Sequence, residues 1–136
     1  YSSAVTTTSK TFVIDHPLND SKYLVHACLE GPEAGVYYRG RGMIKRLEEK
    51  VVLQLPDYSA DLAKDFDIHL TCLGKPVLLG ASAVNSAGQF EVYTAMRATR
   101  DVHFNWIAYG SREDIDVEPY KKSVRVNGTG PYKYIG

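Results

Sequence analysis

The sequence predicts an all-β protein, an antiparallel β-sandwich that is jelly-roll-like, and three observations carry that expectation. Apolar and polar residues alternate with period two in segment after segment. About eight or nine such segments recur at near-regular spacing. Gly, Pro, Asn, Asp and Ser fall between them, where turns are needed. At 136 residues the chain is expected to bury about two-thirds of its unfolded surface. A single sandwich domain is expected over 11–136. Residues 1–10, rich in Ser and Thr and without apolar period, read as an incoming linker or extended arm.

Residues 11–15 form the first predicted strand, stopped at His16-Pro17 because proline has no amide donor for a ladder. Residues 18–21 read as a turn. The second strand, 23–30, ends at Gly31-Pro32. Period two places His26, Cys28 and Glu30 on one side, and Val25, Ala27 and Leu29 on the side expected to be core. The third strand, 36–44, contains Gly40 and Gly42, which predict a bulge or a close backbone approach.

In the next strand, 51–55, Val51, Leu53 and Leu55 are expected inward and Gln54 outward. Residues 57–64 predict the only helix, a turn or two opened by Asp57 or Ser59. Along 66–73, Phe66, Ile68, Leu70 and Cys72 share one face, and Asp67, His69 and Thr71 the other. Segments 76–84 and 89–94 predict a hairpin around Asn85-Ser86-Ala87-Gly88. Along 102–109, Val102, Phe104, Trp106 and Ala108 read as core, opposite His103, Asn105, Ile107 and Tyr109. A last strand is expected at 123–126, before a Gly-Pro-Tyr tail.

Sixteen Lys and Arg balance sixteen Asp and Glu, so net charge is zero. That balance gives no electrostatic footprint for nucleic acid or an anionic membrane. No apolar run approaches the roughly 20 residues of a membrane helix, so membrane insertion is not expected. The chain opens on Tyr1 without a signal peptide and is expected to belong to a longer protein. Cys28 and Cys72 are too few for a disulfide framework. Each lies in a strand-like run and reads as a buried thiol, with a disulfide between them as the alternative. Asn19-Asp20-Ser21 and Asn127-Gly128-Thr129 fit the glycosylation pattern, which matters only in a secretory pathway.

His26, Cys28 and Glu30 invite a metal reading, but three dissimilar ligands on one strand do not encircle an ion. No metal or cofactor is therefore expected. The preferred reading is a structural polar network of His26, Glu30, Glu33 and Arg39. If strands 23–30 and 36–44 pair, Arg39 reaches Glu30 or Glu33 as a forked, charge-assisted bond.

No catalytic residues are assigned and no enzyme is expected. The G-x-S-x-G elbow, the P-loop, G-x-G-x-x-G and H-E-x-x-H are all missing from the sequence. Asp57, Asp65 and Asp67 read as solvated surface rather than as a glycosidase pair.

Ten tyrosines and one tryptophan suit strands, interfaces and sugar recognition alike. The candidate ligand site is Tyr93, His103, Asn105 and Tyr109. If strand 89–94 lies beside 102–109, Glu91, Tyr93 and Gln89 join them in one polar–aromatic patch for a monosaccharide. A solvated sheet face or a subunit contact is the alternative.

The run KTFVIDHPLNDSKYLVHACLEGPEAGVYYRGRG resembles a segment of fibre and spike proteins from tailed phages and large DNA viruses of algae and protists. In those proteins it lies near the C-terminus, sometimes beside a self-cleaving intramolecular chaperone domain. The shared elements are Phe12, His16-Pro17, Leu24-Val25-His26, Glu30-Gly31-Pro32-Glu33 and Tyr38-Arg39-Gly40. Weaker echoes occur at Phe104-Asn105-Trp106, at Gly110-Ser111-Arg112-Glu113-Asp114 and over 124–135. The resemblance implies a β-rich homotrimeric module on the virion surface, used in host attachment, and a host cell-surface glycan is the ligand expected for it. It implies no catalytic residues. A purely structural domain that trimerises or caps the fibre, and a polysaccharide-degrading enzyme, are the rival expectations.

Overall fold

The structure, a computed structural model, describes residues 11–27, 30–129 and 133–135. The expected arm over 1–10 and the thiol of Cys28 lie outside the described residues. The chain divides into two compact units. One joins Tyr1–Glu33 with Asp114–Gly136, and the other is Ala34–Glu113. The two three-stranded sheets of the sandwich lie within Ala34–Glu113.

In the first unit, β1 (Thr11–Asp15) and β2 (Tyr23–Ala27) pair antiparallel, with Phe12 opposite His26 and Ile14 opposite Leu24. The turn closes through the His16 amide donating to the Lys22 carbonyl at 3.0 Å. Asn19 Oδ1 accepts from the Ser21 amide at 2.9 Å, as an Asx turn requires. The sheltered face is the one with Phe12, Leu24 and His26. Leu24 is buried, whereas Val25 is 58% exposed. The expected core face of this strand is therefore reversed. A two-stranded ribbon has one covered face, and the Phe12–His26 ring stack, 5.0 Å between centroids, lies on it.

The second unit contains six strands: β3 (Ala34–Ile44), β4 (Lys50–Gln54), β5 (Lys64–Leu73), β6 (Leu79–Ala81), β7 (Gln89–Thr94) and β8 (Val102–Glu113). They form two antiparallel sheets, ordered β3-β8-β5 and β4-β7-β6. A jelly roll needs eight strands in two Greek keys. This unit has six, so the plain description is a sandwich. The central strands alternate cleanly: Val102, Phe104, Trp106 and Ala108 of β8 and Phe90 and Val92 of β7 are buried together. Ile44, Leu55 and Ala98 complete that core, with Phe66, Ile68, Leu70 and Cys72 of β5 packed against it. Cys72 is a free thiol.

Gly40 and Gly42 are close-approach positions rather than a bulge. The β3–β8 register runs unbroken from Gly35 to Ile44, with Gly40 opposite Trp106 and Gly42 opposite Phe104. A Cβ on Gly40 would lie 2.7 Å from Trp106 Cζ2, and one on Gly42 would strike the Phe104 ring. The register irregularities are elsewhere, at Ala34/Gly35 and between Lys64 and Asp67, where Asp65 has φ of 55°.

The predicted hairpin between β6 and β7 forms. Asn85 Oδ1 accepts from the Ala87 and Gln89 amides, and Gly88 takes φ of 77°. The expected helix shortens to one turn, α1 (Ser59–Leu62), and neither Asp57 nor Ser59 caps it. Ser59 is instead fully buried. The expected last strand becomes a 3₁₀ turn at Lys121–Ser123 followed by β9 (Val126–Asn127), which pairs with β10 (Tyr134–Ile135) in the first unit. Among the described residues no helix is long and apolar enough to cross a membrane.

Candidate functional site

Strand alternation in the sandwich turns every second side chain of β3, β8 and β5 to the outer face of their sheet. From β8 these are His103, Asn105, Ile107 and Tyr109. The register sets Arg41 and Thr71 on either side of Asn105, Arg39 and His69 beside Ile107, and Tyr37 and Asp67 beside Tyr109. Tyr109 therefore sits between two rings. Its centroid is 6.4 Å from that of Tyr37 and 5.6 Å from that of His69, the second contact edge-on at 78°. Tyr37 is 46% and Tyr109 38% exposed, so their surfaces remain open to a ligand.

Next to these rings is a shallow groove of about 310 Å³, lined by Arg39, Gly40, Arg41, Asn105, Trp106 and Ile107. Gly40 and Trp106 face the core, so they contribute the floor, and the outward side chains form the walls. Arg39 and Arg41 are exposed. Asn105 is half-buried, and its Oδ1 finds no hydrogen-bond partner among the described residues. Strands hold these groups with little freedom, since β8 is paired along both edges.

Three of the four expected ligand residues, His103, Asn105 and Tyr109, thus share one face. Tyr93 does not join them. It belongs to β7, whose neighbours are β4 and β6 in the opposite sheet. Its ring lies over Gly80 of β6, near Glu91, which pairs with Lys50 Nζ at 3.0 Å. The single patch anticipated from the sequence is therefore split between the two outer faces of the sandwich.

The polar network divides similarly. His26 stacks on Phe12 in the β1–β2 ribbon, and Glu30 and Glu33 belong to the same unit. Arg39 is on β3, opposite Ile107. Strand β2 pairs with β1, and β3 with β8, so the β2–β3 pairing that motivated the network does not form. Among the described residues no three His, Cys, Asp or Glu side chains gather as a metal site would require.

Tyr37, Arg41, His69 and Thr71 are site residues that the sequence reading did not assemble. Alternation along 36–44 and 66–73 already marks them as outward. Their grouping depends on which strands flank β8, and that pairing is non-local.

Tyr38, the inward neighbour of Tyr37, packs edge-on against Tyr58 at 6.1 Å. Burial, and secondarily Tyr58, push its phenol well above the ordinary tyrosine range.

Comparison of the chain with protein-family models, with curated proteins and with solved structures finds no match.

Proposed function

We propose that this chain is the host-attachment domain of a virion fibre or spike, displayed on the virion surface and binding a cell-surface carbohydrate as a homotrimer. The observation that carries the sugar reading is the outer face of the β3-β8-β5 sheet. There, Tyr37, His69 and Tyr109 offer ring surfaces for sugar C–H groups. Beside them Asn105, Thr71 and the two arginines offer donors and acceptors for hydroxyls. The fibre context comes from the sequence resemblance over Lys10 to Gly42. Threefold display would raise weak single-site affinity by avidity, without new contacts.

The test is a glycan array probed with the full chain, together with light scattering. Saturable glycan binding by a trimer without turnover is the expected result. A trimer inert to every glycan would favour the capping domain. Reducing ends released from algal wall or bacterial capsule would favour the enzyme. A single-chain mass that persists on concentration would remove the trimer.

A further inference from the structure

We infer that the groove on the β3-β8-β5 face selects an acidic saccharide, its carboxylate held by Arg39 and Arg41. The inference rests on the reading of this face as a glycan platform and adds the chemical class of the sugar.

Arg39 and Arg41 project from the same side of β3, on Cα positions roughly 7 Å apart. Both are exposed, and both line the groove. Among the described residues neither makes a salt bridge, and the acid of the Lys50–Glu91 surface pair is on the opposite sheet. The register places Ile107 beside Arg39 and Asn105 beside Arg41, so neither arginine has a carboxylate as its cross-strand neighbour. The acids on these three strands are Asp67, beside Tyr109, and Asp65 and Glu113, at the strand ends near the register irregularities; none of them lines the groove. Two forked donors thus face a groove with no acid in its wall. A planar carboxylate matches that fork in a bidentate arrangement.

The remaining wall suits a sugar ring. Asn105 lines the groove with a carboxamide, a group able to donate to and accept from sugar hydroxyls. Ile107 gives an apolar patch between the arginines and the ring cluster of Tyr37, Tyr109 and His69. Arginines beside aromatic rings also suit a single-stranded nucleic acid, whose bases stack. Zero net charge favours the saccharide, because backbone tracking along a polyanion needs a positive field larger than two side chains provide.

The experiment uses the full chain and isothermal titration at low salt. The probes are oligogalacturonate, oligoguluronate and sialyllactose, each beside its carboxyl-reduced or desialylated neutral counterpart, and an oligodeoxythymidylate. The expected result is that at least one acidic saccharide binds about tenfold or more tightly than its neutral counterpart. Added sodium chloride should weaken the acidic ligand and leave the neutral one unchanged. The R39Q/R41Q variant should lose the preference with its melting temperature retained, and R39K/R41K should keep the salt dependence while losing most of the preference. Equal binding of the acidic and neutral forms overturns this inference and leaves the glycan reading standing. No retention of any saccharide overturns both. Tighter binding of the oligonucleotide overturns the saccharide assignment of the face.

Discussion

The Phe90 ring meets the Trp106 indole edge-on, with centroids 5.3 Å apart and planes at 75°. Phe90 belongs to the central strand of one sheet and Trp106 to the central strand of the other. The contact therefore ties the two layers at mid-sandwich. It also fixes the side of β8 that faces inward, and with it the outward direction of Asn105 and Ile107.

Phe90→Ala should destabilise the sandwich by about 3–5 kcal/mol, the usual result of emptying a large buried aromatic site. Phe90 is 1% exposed, so the neighbours have no solvent-side room in which to collapse. Trp106 is the only tryptophan, which makes its fluorescence a direct reporter of unfolding in urea. An unchanged urea midpoint would mean that this contact does not hold the sheets together.

Gly42→Ala should cost about 1–3 kcal/mol, as overpacking does. Its Cβ would meet the ring of Phe104, which is fully buried and has nowhere to retreat. Gly31→Ala serves as the control, since nothing lies within 4 Å of the added carbon. Equal melting temperatures for the two variants would refute the close-approach account of β3.

Period two in the sequence sufficed to place most single side chains. It put Trp106 and Phe104 inward, Tyr109 and His103 outward, and Asn85 to Gly88 in a turn. Each of those assignments depends on neighbours one or two residues away. It failed where the answer depends on a distant segment. Tyr93 and Tyr109 both read as outward, but opposite outer faces of a sandwich look identical along the chain. Arg39 reads as a partner of Glu30 or Glu33 only if neighbouring strands in sequence are neighbours in space, whereas β3 pairs with β8 and sets Arg39 opposite Ile107, 68 residues on. Val25 on β2 reads as core because its apolar neighbours alternate, yet a two-stranded ribbon covers one side only, and its polar-looking side carries Leu24 and His26.

Tyr38 should make the protein lose stability as pH rises from about 10 upward. In the folded state, burial and Tyr58 keep its phenol protonated beyond the ordinary range. The unfolded chain ionises near the ordinary value of about 10. Above that pH the unfolded state has released a proton that the folded state keeps, so the balance moves toward unfolding. Below it the contribution is fully present. Tyr38→Phe removes the group from both states and should flatten the alkaline limb of melting temperature against pH. Superimposable alkaline limbs for the two proteins would exclude Tyr38 as their source.

The two tyrosines of the original patch give the sharpest separation of the faces. Tyr109 contacts Tyr37 and His69 beside the arginine groove, whereas Tyr93 lies over Gly80 on the other sheet. Both rings are about equally exposed, 38% and 44%. Removing either should therefore perturb the fold to a similar small degree. Only one of them borders the proposed platform. Tyr109→Ala should weaken binding of the acidic saccharide retained in titration by about 1–3 kcal/mol, as loss of a stacking ring from a ligand does. Tyr93→Ala should leave the affinity within about 0.5 kcal/mol of the parent, as a remote surface change does. Circular dichroism melts on both variants separate lost binding from lost structure. If Tyr93→Ala abolishes binding and Tyr109→Ala does not, the ligand face is the β4-β7-β6 sheet, and the groove between Arg39 and Arg41 is not the sugar site.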